Sequence, residues 1–328
     1  MSLERHETHT VVDSTKLSAY QLCPRKCFWQ FVAGWVPEDT IHNLSFGRAV
    51  HKALETLYDH YKKDKIYTDA AIVRAFADFL EDYRQDFSEQ TDEIFHPKDP
   101  ESFLLLLEQY VSHYKRLDKE NGLEILYTEI SGSVPLSAEE DKLLHFRLDT
   151  VVKNTFGYHI LEHKTSSWRT DLWATSFDLS MQAGMGNYVM KCLYGDEANG
   201  MVYNGLFFRK KLKRSGVQSH EFLRYPVRLS PPDLNRWLLH ANHYYDNYIK
   251  DLKLCYAEAE EGVSLMQSFP INPTGCMAYN KVCEYHDFCV GCVNPLNICG
   301  EAPEGFKSKY WDPQDDDKTK STDVGVVR

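Results

Sequence analysis

The stretch 144–167 constrains this chain more than any other, because its alternation allows little besides a β-hairpin. Phe146, Leu148, Thr150 and Val152 fall two residues apart, which puts them on one face of a strand. Asn154-Thr155-Phe156-Gly157 supplies the turn, and Tyr158 to Leu161 begins the return strand. Asp149 sits midway along the first arm. Glu162 and Lys164 end the second arm and share a face. Two carboxylates and an ammonium at the end of a buried hairpin are costly unless something pairs them. A hard divalent cation such as Mg²⁺ or Mn²⁺, which takes oxygen ligands, is the natural partner. Lys164 can then orient an attacking water. The same spacing also suits a surface strand carrying an ordinary Glu–Lys pair.

At 328 residues, 43% hydrophobic and 26% charged, the chain has the size and make-up of one large or two small globular domains. The longest apolar run, Phe103 to Leu107, is far too short to span a bilayer, and Met-Ser-Leu-Glu-Arg-His is no signal peptide. These features predict a cytoplasmic protein with no membrane partner. The net charge of −11 does not advertise nucleic-acid binding, although a local positive channel would suffice for it. Five of the nine cysteines fall within 276–299, a cluster that in a cytosolic protein points to metal rather than disulfides.

In order, residues 1–13 are expected to be a flexible tail, followed by a capped helix from Ser14 and the aromatic segment around Phe28-Trp29. Phe46, Val50, Ala53, Leu57 and Tyr61 predict an amphipathic helix over 46–63 capped by Ser45, with Gly47 allowing close packing and His51 bordering the apolar stripe. Helices over 69–86, capped by Thr68, and 100–119, begun by Asp99-Pro100 and stopped by Asn121-Gly122, complete a helical lobe over about 64–121. No chemistry is expected in that lobe. Leu123 to Ile130 reads as a strand with Glu129 near its end. A helix over 178–194 carries Gln182 and Tyr188. Strands over 200–209 and 218–229 flank a dense basic run that includes Lys210, Lys211 and Lys213, our sequence candidate for phosphate contacts. A long helix over 232–260 precedes the cysteines, and 305–328 lacks a core pattern, so it is expected to be a disordered tail. The fold class is α/β, a central mixed sheet flanked by helices, with a helical insertion and a C-terminal cysteine-rich region.

Asp149 followed by Glu162-x-Lys164-Thr165-Ser166 resembles the core of the PD-(D/E)XK nuclease superfamily, with Leu148-Asp149 in place of its proline-aspartate. The order of Cys23-Pro24, Gly47-x-x-x-His51, Asp149, Glu162-x-Lys164, Gln182 and the late cysteines is similar to the RecB-like iron–sulfur exonucleases, including CRISPR-associated and AddB-type domains. The resemblance implies a restriction-endonuclease-like core in a single nuclease domain over 14–304, with its catalytic core at about 123–230. It implies metal held by His51, Asp149, Glu162 and the carbonyl of His163, with Lys164 positioning water. Glu129 is either an edge-strand carboxylate or a further group facing the site. Gln182 and Tyr188 would contact DNA, although the aromatic falls at 188 rather than four residues after Gln182. Cys23, Cys276, Cys283 and Cys289 would hold a [4Fe–4S] cluster joining the cysteine region to the N-terminus. Cys27, Cys292 and Cys299 are alternative ligands, and Cys289-x₂-Cys292 could belong to a zinc site. The implied function is a DNA exonuclease acting on single strands or ends in repair, recombination or phage or CRISPR DNA processing, in a bacterial or phage-infected cell. Helicase, recombination or CRISPR-adaptation proteins are the implied partners. The rival is a non-catalytic nucleic-acid-binding subunit with a structural iron–sulfur or zinc site.

Overall fold

The computed structural model describes residues 3–39, 41–211, 216–314 and 322–327. They gather into two compact units. The first is Met1–Asp39, Ser133–Phe146 and Pro231–Asp315, and the second is Thr40–Gly132, Arg147–Ser230 and Asp316–Arg328.

The second unit is organised on the hairpin. Its arms are Leu143–Asn154 and Gly157–Ser166, paired from Thr150 opposite Leu161 to Asn154 opposite Gly157, which leaves Thr155 and Phe156 as the turn. Gly157 has φ +111°, and a Cβ there would meet the Glu197 carbonyl oxygen at 2.6 Å, so only glycine fits. The second arm pairs in parallel with Ala198–Phe207, setting Glu162 beside Tyr203 and His163 beside Asn204. Glu221–Val227 continues antiparallel on that side. On the other side come Glu124–Pro135 and Thr322–Val326. In the first unit, Val12 and Asp13 pair in parallel with Leu144 and His145, the seventh strand of a mixed sheet.

Three helices, His42–Asp64, Asp69–Tyr83 and Pro100–Glu120, turn apolar faces inward. Phe46, Leu57, Phe79, Phe103 and Tyr110 share one core with Val152, Leu161 and Leu206 of the sheet, so the helical block is continuous with it. Each fully buried Phe or Leu side chain contributes roughly 1.5–3 kcal/mol. Thr68 and Asp99 accept the Ala71 and Ser102 amides as caps. Ser45 is not a cap. The first of these helices starts at His42, and Ser45 is buried inside it. A Cβ at Gly47 would find its nearest atom, Thr165 Oγ1, at 3.9 Å, so close packing does not require glycine there. The helix expected over 178–194 starts at Met181 and runs to Tyr194, capped by Ser180, and the preceding loop holds a short helix, Asp171–Thr175.

In the first unit, described residues of both stretches expected to be tails make specific contacts. Lys16 is fully buried, and its ammonium donates to the Thr8 and Val11 carbonyls while Asp13 accepts its amide. A buried ammonium needs such acceptors, and supplying them orders residues 8–13. Toward the other end, Phe306–Ser308 pairs antiparallel with Trp35–Pro37, and the Trp311 indole donates to Asp13. The Trp29 and Trp35 rings stack at 4.7 Å, and the Tyr285 hydroxyl donates to the Trp35 carbonyl. Among the described residues, no helix is long and apolar enough to cross a membrane.

Candidate metal centre and cysteine cluster

The candidate centre lies within the second unit, where one helix and three strands each contribute to it. The helix His42–Asp64 supplies His51, the strand Glu124–Pro135 supplies Glu129, and the hairpin supplies Asp149, Glu162 and Lys164. One ligand atom from each of His51, Glu129 and Asp149 lies within 4.8 Å of the others, close enough for a single ion. The His51 ring nitrogen Nδ1 is 3.2 Å from Asp149 Oδ1, and the His163 amide donates to Asp149 Oδ2 at 2.7 Å. Glu162 and Lys164 share a face, and Lys164 Nζ donates to Glu162 Oε1 at 2.8 Å. Gln182 Nε2 donates to the same oxygen at 2.7 Å.

The electrostatics follow from burial and crowding. Burial disfavours a charged His51 ring, but the adjoining Asp149 carboxylate more than offsets this and holds its pKa at about 9. Burial would raise Asp149, but the His51 ring holds it well below the usual carboxylate range. Burial and then the Asp149 charge raise Glu162, against the pull of Lys164. Burial would lower Lys164, yet its two carboxylate neighbours raise it. Glu129 is pushed up to about 8, first by burial and then by Asp149. Its backbone is also in the left-handed region, φ +51°, a conformation that costs a non-glycine residue on the order of 1–3 kcal/mol.

His163 contributes backbone rather than ring. Burial pushes its imidazole down to about 3. The ring sits against the Tyr58 ring, stacked within 5° at 5.6 Å, with Asn204 Nδ2 at 2.9 Å from Nδ1 and the Thr150 hydroxyl at 3.4 Å from Nε2. Both nitrogens are thus engaged, leaving the carbonyl as its candidate ligand group. Gln182 reaches Glu162, whereas Tyr188 lies about 120° away round the helix at 3.6 residues per turn and hydrogen-bonds to Cys192. Lys210 and Lys211 are exposed, and Lys211 has Glu101 at 3.4 Å. Lys213 lies outside the described residues. Sequence reasoning weighed Glu129 without choosing it, and it missed the Gln182–Glu162 bond. A strand carboxylate gives no sign of its φ, and a mid-helix glutamine gives no sign of its partner.

The candidate cluster cysteines belong to the first unit. The Asn272 amide points at Cys23 Sγ at 3.4 Å, and the Cys283 amide donates to the Cys276 carbonyl at 2.8 Å. Burial raises the Cys289 thiol, with Cys23 and Cys276 near enough to add to that, and Cys283 is raised by burial and by Cys289. These contacts link Cys23, Cys276, Cys283 and Cys289. The buried Arg25 guanidinium, bonded to the Phe269 carbonyl, lies near enough to Cys289, Cys23, Cys255 and Cys292 to feel their charge. Cys27 is fully buried and its thiol is raised far above the usual range by burial. Cys292 and Cys299 turn their sulfurs to the Asn294 and Leu296 carbonyls.

No curated protein matches this chain. Among solved structures, the crystal structure of SSO0001 is 14% identical and overlaps 60% of this chain and 82% of its own, at a TM-score of 0.25, so it carries no argument here. The model of the PD-(D/E)XK nuclease superfamily matches residues 14–290, a span that takes in His51, both hairpin arms and the cysteines as far as Cys289, and the chain therefore belongs to that superfamily of metal-dependent nucleases.

Proposed function

We propose that this protein is a metal-dependent DNA exonuclease of the RecB-like iron–sulfur branch, acting on single strands or ends. The observation that carries the nuclease reading is the convergence of His51, Glu129 and Asp149 within 4.8 Å beside the Lys164–Glu162 pair. One imidazole and two carboxylates suit Mg²⁺ or Mn²⁺, with Glu162 and the His163 carbonyl as further oxygen ligands. A bound divalent ion supplies acidified water and offsets charge on the scissile phosphate. Asp149 is fixed for its part by His51 and the His163 amide, so it need not reorganise. Lys164, anchored on Glu162, holds the attacking water in line and offers a positive charge to the phosphate. Gln182 keeps Glu162 from swinging away.

The exonuclease mode, the single-strand preference and a place in repair, recombination or phage or CRISPR DNA processing rest on the order of motifs. So does the [4Fe–4S] cluster on Cys23, Cys276, Cys283 and Cys289. The neighbourhood of Cys289, Cys23 and Arg25 supports it, since a guanidinium offsets part of the negative charge of thiolates.

The test is cleavage of end-labelled single- and double-stranded DNA with Mn²⁺ and with EDTA, using wild type, Asp149→Asn and Glu162→Gln. Stepwise shortening by wild type with Mn²⁺, and none by either variant, is expected. A variant cutting at the wild-type rate removes that residue from the mechanism. Wild type that binds DNA but never cuts it supports the non-catalytic rival instead.

A further inference from the structure

The helical block, where no chemistry was expected, carries a basic cleft of about 380 Å³. Lys65, Lys115, Arg116 and Lys119 line it over a floor that includes Tyr61 and Tyr67, and no carboxylate is among its lining residues. In a chain of net charge −11, a carboxylate-free cleft with four cations stands out. No run in the sequence announces it. Lys65 follows the helix His42–Asp64, and the other three come from the last turns of Pro100–Glu120, so the fold assembles the cleft. Arg116 has Glu120 at 3.6 Å, but both are well exposed and such a pair is weak. The Tyr61 and Tyr67 rings lie 4.6 Å apart, and the Tyr67 hydroxyl is fixed on Asp118.

The cleft lies along the same helix stripe as His51. Lys62 follows His51 by eleven residues and Lys65 by fourteen, close to three and four turns. Lys62 Nζ donates to the Leu126 carbonyl, on the strand that also carries Glu129. Along the helix axis the cleft is about 21 Å from His51 at 1.5 Å per residue. At about 3.4 Å per phosphate along a stacked, duplex-like strand that is about six nucleotides, and about half as many if the single strand is extended.

We propose that this cleft binds the phosphodiester backbone of a DNA strand about three to six nucleotides from the metal centre. Resting on the nuclease reading, this assigns the enzyme a remote substrate subsite. Cations spread over two helix ends suit successive phosphates better than one small anion. Tyr67 and its neighbouring apolar floor offer a surface for a sugar or base face, and such contacts are indifferent to sequence. The competing role for these side chains is only to complement the helix C-terminal dipoles.

The test compares wild type with the Lys65→Gln/Lys115→Gln/Arg116→Gln/Lys119→Gln variant on 2- and 20-nucleotide single strands, with thermal melts of both as a folding control. A Lys115→Gln/Lys119→Gln variant serves if the quadruple one misfolds. Binding is read across salt concentrations with Ca²⁺ in place of the catalytic metal, and cleavage with Mn²⁺. For the 20-mer, KM should rise at least tenfold with kcat held. The log–log salt slope of binding should flatten by up to about 3, at about 0.7 per single-strand phosphate contact. The dinucleotide, too short to reach the cleft, should show neither change. An unchanged 20-mer slope and KM overturn the subsite, as does a cleft that binds inorganic phosphate in calorimetry while the 20-mer slope stays fixed. Wild type that never cleaves defeats the nuclease reading alone, because the Ca²⁺ binding slopes still decide the cleft.

Discussion

Glu129→Gln should make the metal-free protein more stable, and increasingly so as pH rises. Glu129 is 5% exposed and has Asp149 and Glu55 adding to the burial that raises it, against weaker help from His51 and Arg147. In the fold it keeps its proton up to about pH 8, whereas in the unfolded chain it loses it near its ordinary value of 4.5. Between those limits unfolding releases a proton. Stability of the wild type therefore falls with rising pH, by about 1.4 kcal/mol per pH unit. At pH 7 the chain is two and a half units above the unfolded value, a cost on the order of 3 kcal/mol. Glutamine has the same shape and never ionises, so it escapes that cost. The assay is urea unfolding of both proteins at pH 5, 6, 7 and 8 in EDTA. Effects common to both cancel in the difference, and the gap in favour of Gln should widen up to about pH 8 and then level off. Saturating Mn²⁺ should then stabilise wild type more than the variant, which has lost a charged ligand. Curves that stay parallel across this range in EDTA would refute the reasoning.

Two further outcomes are expected from the rest of the molecule. Protein purified without oxygen should be brown with about four irons per chain, and Cys23→Ala should bleach it and lower its melting temperature; stoichiometric zinc without iron would show that the cysteines hold zinc instead. Burial lowers His9, His159 and His220 each to about 4, while the unfolded chain protonates them near 6.5, so stability should be lost as pH falls through that window, by up to about 3 kcal/mol per residue. The slope should be shallower in His159→Asn, and equal slopes measured by urea unfolding between pH 6.5 and 4.5 would remove His159 from the account.

The hairpin was legible because period-two alternation and a glycine turn are local signals, and Asp149, Glu162 and Lys164 fall where they place them. The helices were legible for the same reason, except at ends such as His42, where no capping side chain marks the start. What the sequence concealed was pairing across distance. Lys16, buried by carbonyls eight and five residues before it, reads as a surface lysine in a helix. The Phe306–Ser308 strand is three residues of mixed polarity whose partner lies some 270 positions earlier. Lys65 and Lys119 are scattered cations until the two helix ends meet. By contrast, the contiguous run at 209–214 that drew attention has Arg209 tied to Glu221 and to the Ser167 carbonyl.

Hydrogen-bond accounting separates the three carboxylates of the site. Asp149 has a histidine on one oxygen and an amide on the other. Glu162 has a lysine and a glutamine on a single oxygen, and its second oxygen has no hydrogen-bond partner among the described residues. Glu129 has no hydrogen-bond donor among the described residues, although it is buried and held in a left-handed backbone conformation. Burial makes this carboxyl costly to ionise, and the backbone strain adds to that cost. Neither contributes to the stability of the chain alone, and both are offset once a cation sits among His51, Glu129 and Asp149. Glu129 is therefore the residue whose placement makes least sense without metal, and it was the carboxylate hardest to choose from sequence for the same physical reason. Its role is written in the backbone angle and the missing donor, which are properties of the folded strand.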